Sequence, residues 1–256
     1  MTKKYTLTEE CITIEDRKLY RIKALRNVGR VKEGDLGGFV EYNDNLSQED
    51  DAWLYHDAKV FGSAWVGENA RIRGNACVYG NAQVFGSAII ANKARVFGNA
   101  EVYNNAMVYD NAQVYGNAEV YGDAAIYDNA QVYGDAEVHG RSQVYDYATV
   151  SGSAQVSGHA EVLGESNVFR HAILCGEVSV VGKAIVSRRP IRIEGLRHPI
   201  TVVDNLVIIG CQAKSLKEWL AMAEAEIRKL GHGAFDFYRD YKDIIKKIVE
   251  KHQKGG

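Results

Sequence analysis

From residue 52 to residue 186 the chain alternates small, polar, aliphatic and polar positions with a period of six. A small residue recurs at every sixth place, from Ala52, Ala58 and Ala64 through Ala118, Ser142 and Ser166 to Ala184, with Val178 the one larger member. An aliphatic residue follows two places later each time, as at Leu54, Val60, Val66, Val114 and Val186. A fixed short period is the mark of a repeat architecture, and six is too short for a helical repeat. Three sextets make one turn of a triangular coil, so the pattern predicts a single-stranded left-handed parallel β-helix over residues 51–187, mainly β in class. With 23 sextets the rod has between seven and eight coils, about 35 Å long at ~4.8 Å per stacked strand.

Within a sextet such as Gln113–Ala118, Val114 points inward, Gln113 and Tyr115 outward, Gly116 and Asn117 turn, and Ala118 fills a tight corner. Gly, Asn or Asp holds most turn sites, and these residues tolerate positive φ. His56, Glu68 and Arg170 hold the same site, where local distortion is expected.

The flanks follow other patterns. Residues 1–50 read as a β cap, opening with an alternating hairpin about Glu15–Asp16–Arg17. Val40 and Leu46 there fall on the small-residue phase of the repeat. Residues 188–213 read as two or three closing strands. Residues 214–256 read as two amphipathic helices, the first over 215–230 with a Ser215/Glu218 capping box. Lysines enrich the second helix's C-terminal half and read as a solvated face.

Composition narrows the function classes. A net charge of −2 gives no electrostatic footprint for nucleic acid. No apolar run reaches membrane-spanning length, and MTKKYTLTEE lacks the apolar core of a signal peptide. Four cysteines without a CxxC pair suit a reducing compartment. The expected location is the cytoplasm.

Two stretches carry a resemblance. YRIKALRNVGRVKEGDLGGFVEYNDNLSQEDDAWLYHDAKVFG resembles the opening of hexapeptide-repeat proteins encoded by bacteriophages and prophages, and NLVIIGCQAKSLKEWL is similar to the module that closes many of them. That resemblance implies a protein working inside a bacterial host, in a group often labelled acyltransferase-like. A shared fold does not confer chemistry, and no catalytic residues are carried over.

An acyltransferase of this fold would need a histidine at a subunit groove. The rod's histidines, His56, His139, His159 and His171, occupy different phases of the 18-residue turn, and His139 stands where Tyr121 stands one coil earlier. No metal-ligand spacing occurs, and no cofactor is expected. Ice binding wants threonine ladders, and Thr149 is the rod's one threonine.

The outer faces say more. Residues 18 apart stack, so the third face carries Glu101, Glu119 and Glu137 beside Tyr103, Tyr121 and His139. Stacked like charges ask for a cation or basic partner, and these six residues are the candidate ligand or partner site. The first face is short of charge at its middle, where Ile89, Met107, Tyr109 and Tyr127 are the candidates for self-association. The oligomer expected by analogy with the fold is a trimer. The sequence reading is a non-enzymatic binding protein countering host defence through a host protein or small ligand. An acyltransferase and a structural virion or scaffold component are the alternatives.

Overall fold

The structure, a computed structural model, describes residues 3–210 and 212–254. Its body is a parallel β-solenoid in which each sextet gives one two-residue strand, as at Gln113–Val114. Strands pair in parallel with those 18 residues away, Glu101 with Glu119 for instance, forming three walls. Eight strands build the first face, from Trp53–Leu54 to Ser179–Val180. The third runs from Trp65–Val66 to Ile173–Leu174. The aliphatic phase and the alanine phase are fully buried, Val114 and Ala118 among them, and form one continuous core.

Corners are backbone against backbone. Gly116 has φ +77°, and a Cβ there would sit 2.8 Å from the Gly134 nitrogen on the next coil. His56, Glu68 and Arg170 show φ of 59°, 58° and 60°, the same left-handed turn as their glycine counterparts, so the expected distortion is absent. Two side chains offset the strain locally: Glu68 Oε2 accepts from Gly86 N at 3.0 Å, and His56 Nδ1 from Gly74 N at 3.5 Å.

The N-terminal segment covers the rod's first end and also extends one wall: Tyr5, Ile22, Ala24, Val28 and Val31 join the rod's own core. Strands β1 (Tyr5–Ile14) and β2 (Arg17–Ala24) form the expected hairpin, and β2 pairs with β3 (Leu36–Val40). Strand β3 then pairs in parallel with Lys59–Val60, making the second face an eleven-stranded sheet. Val40 lies opposite Val60 and Leu46 opposite Val66, twenty residues on, whereas Trp53 lies opposite Arg71, eighteen on. The first coil therefore holds two extra residues between Leu46 and Leu54, and Val40 and Leu46 occupy the aliphatic phase, not the small-residue phase. The buried Lys4 uses that bulge, donating from Nζ to the carbonyls of Asp50 and Ala52 at 2.9 Å each.

Both rod ends are plugged by the tripeptide Asp-Asn-Leu, at 44–46 and at 204–206. Asn45 Nδ2 donates to the carbonyls of Gly62 and Ala64, both at 2.9 Å, while Leu46 joins the core. At the far end Asn205 Oδ1 accepts from Ile185 N at 2.7 Å and its Nδ2 donates to Lys183 O at 2.9 Å, with Val203 entering the core.

That far plug is a turn of a four-stranded antiparallel sheet, one strand more than expected at most: Ile191–Ile193, Ile200–Val202, Val207–Ile209 and Gln212–Lys214. The predicted first helix is two: α1 (Leu216–Ala221) and α2 (Glu224–Lys229), broken where Met222 and Ala223 are extended. Glu226 Oε2 caps the Ala223 nitrogen at 3.0 Å, so the chain restarts with its own cap. Trp219 and Ile227 lie eight residues apart, more than two turns with a lateral offset, and the break lets both reach one core. That core packs them with Phe237, Tyr238, Ile245 and Val249 of α3 (Ala234–Lys254) against the sheet.

Candidate functional site

On the third face Glu101 pairs with Glu119, and Glu119 with Glu137, in unbroken parallel register. Gln83 precedes the row and Gln155 follows it. All three carboxylates are half-buried along the wall. No ion pair among the described residues reaches any of them. Directly opposed like charges are destabilising.

Beside this row runs an aromatic stack. Phe85, Tyr103, Tyr121 and His139 follow one another with ring centroids 5.0, 5.0 and 4.7 Å apart and planes within 4°. The two rows touch: Tyr103 Oη donates to Glu119 Oε2 at 3.2 Å. Desolvation, with the Glu119 charge behind it, pushes the Tyr103 phenol up to about 12. Tyr121 is raised by desolvation first and then by Glu137 and Glu119. The structure thus places all six residues of the sequence-derived site on one wall. His139 is stacked as a tyrosine substitute, while His56, His159 and His171 are exposed at corners.

The first face carries the self-association residues. Ile89, Met107 and Ala125 are consecutive in register, Met107 is 38 % exposed, and Tyr109, Tyr127 and Tyr145 stack beside them at 5.0 and 4.8 Å. Desolvation raises the Tyr127 phenol to about 12.

Two features escaped sequence reasoning. Lys4 is fully buried, and desolvation lowers its ammonium to about 8 although Asp50 opposes that shift. The Asp-Asn-Leu plugs were visible as a repeated tripeptide just outside the hexapeptide run, at the point where each end needs partners. A separate apolar cavity of about 80 Å³ lies in the C-terminal module between Ile209, Trp219, Ile227, Phe237 and Tyr238. Trp219 Nε1 and Tyr238 Oη beside it are already committed to Val207 O and Trp219 O.

Among the described residues no group of three or more His, Cys, Asp or Glu is placed to hold a metal ion. Cys11, Cys77 and Cys175 are free, and Cys211 lies outside the described residues. No described helix is long and apolar enough to cross a membrane.

Fold and ladders together define a repeat β-helix protein of the parallel solenoid class. Residues 112–128 and 142–158 match the YdcK beta solenoid repeat family, a stretch that includes Glu119 and Tyr121. No curated protein sequence matches the chain.

Proposed function

We propose that the protein is a non-enzymatic binding protein of the phage- or prophage-encoded kind that its opening and closing segments resemble. It acts in the bacterial cytoplasm on a host protein or small ligand, to the detriment of host defence. One observation supports this most: three glutamates stand in register on the third face without a countercharge, backed by a continuous aromatic stack. A wall so charged gains from a basic partner what it lacks internally, since pairing each carboxylate removes the opposition between neighbours. The stacked rings add flat area that a partner can cover at little entropic cost.

An acyltransferase would ask for an imidazole beside an open groove. His139 instead lies flat on Tyr121, 4.7 Å between centroids. The test compares wild type with Glu101→Gln/Glu119→Gln/Glu137→Gln, immobilised and exposed to bacterial lysate. A component retained by wild type and lost by the triple variant is the expected result. Equal retention by both, or acyl-CoA turnover by wild type that His139→Gln abolishes, overturns the reading.

A further inference from the structure

We infer that the first face docks a second copy of this chain, running antiparallel, about a two-fold axis that lies along its strands. The inference does not rest on the proposed ligand site, which is on another wall.

Number the eight strands of this face from Trp53–Leu54 to Ser179–Val180. Arg71 opens the second strand and Glu161 the seventh, in the same outward column. Neither has an ion-pair partner among the described residues. Between them that column holds Ile89, Met107, Ala125 and Gln143, free of charge. The face is therefore basic at one end, uncharged in the middle and acidic at the other.

An axis between the fourth and fifth strands sets strand two of one copy against strand seven of the other. Arg71 then faces Glu161 of the second copy, twice over by symmetry. The same operation sets Met107 against Ala125, a long flexible side chain against a short one. In the second outward column it sets Ala91 against Tyr145. At the adjoining corner Asn92 comes to Asp146 and Lys93 to Tyr147 beside it, while Asp110 and Asp128 oppose each other at the solvated rim, where salt screens them.

Parallel assemblies fail the same test. A three-fold or two-fold axis along the rod brings each coil against its own level, so Arg71 meets Arg73. The trimer expected from the fold is thus disfavoured on this face, because like charges across an interface select against a partner.

The wall is flat enough for long-range register. Tyr109, Tyr127 and Tyr145 keep their planes within 3° over successive coils. Met107 remains 38 % exposed, so the wall's middle is not covered by the chain's own helices, which pack on the C-terminal sheet.

Sedimentation equilibrium on the full chain tests this, with circular dichroism confirming the rod in each variant. Wild type is expected at twice the chain's 28.4 kDa. Arg71→Glu and Glu161→Arg should each weaken the dimer by roughly tenfold or more, as two charge pairs become repulsive. Combined, the two substitutions exchange the charges and should restore the dimer. A monomer, a trimer, or a double variant as weak as either single one overturns the inference. Glu101→Gln/Glu119→Gln/Glu137→Gln leaves the dimer unchanged, which separates this outcome from that of the ligand site.

Discussion

Tyr103 Oη donates a hydrogen bond to Glu119 Oε2, on the next coil, across 3.2 Å. The same reach, sixteen residues forward, joins Tyr115 to Gln131 at 3.2 Å and Tyr127 to Gln143 at 3.0 Å. Each tyrosine of this kind clips its coil to the one above, which ties the repeated Gln/Glu-x-Tyr pattern to stability as well as to surface.

Glu119→Gln keeps an acceptor for Tyr103 but removes the charge. The Tyr103 phenol, held at about 12, should fall toward its ordinary value of 10. Carbon-13 NMR of labelled tyrosine rings reads this directly. The native phenol holds its proton more tightly than the unfolded one. Its contribution to stability is therefore full below pH 10 and lost as pH rises toward 12. A phenol still titrating near 12 in the variant would assign the shift to desolvation alone.

Ala118 is fully buried in its corner. Ala118→Leu adds three carbons inside the continuous apolar core of the rod, and should cost about 1–3 kcal/mol. Urea unfolding measures it, and an unchanged midpoint would contradict the tight packing.

The end plugs make a sharper case. Asn45 is buried and satisfies two carbonyls of the neighbouring coil, those of Gly62 and Ala64. Asn45→Ala leaves both without that donor, at about 1–3 kcal/mol. The loss should appear as faster amide exchange at Gly62–Ala64 before the rest of the rod, because repeat arrays open from their ends. Uniform exchange would mean the rod opens as one unit.

The rod was legible because its physics is local and repeated: an alanine at a corner and a valine inward are forced at each sextet, so the periodicity carries register, walls and ladders together. The six third-face residues came with it, since stacking follows from counting eighteen. What was not legible lies where the count breaks. The two extra residues before Leu54 moved Val40 and Leu46 to another phase, and the bulge they make is filled by Lys4, a contact distant in sequence. The split after Ala221 is likewise a tertiary effect, for SLKEWLAMAEAEIRKL has unbroken helical propensity and breaks where two side chains must share a core.

His139 ends the third-face stack, its ring 1° from the plane of Tyr121. If the imidazole serves only as a flat ring, a phenol should serve better, since it would also reach forward to Gln155 as Tyr115 reaches Gln131. His139→Tyr should therefore raise stability by about 0.2–1 kcal/mol, the range of a cross-strand pair. It should also leave the lysate component bound as tightly as wild type. Thermal melting and the immobilised-protein assay report the two parts separately. A gain in stability with loss of binding would make His139 a contact residue recognised by its imidazole nitrogens. A loss of stability would mean that the site is shaped for a five-membered ring, and that the stack is not interchangeable along its length.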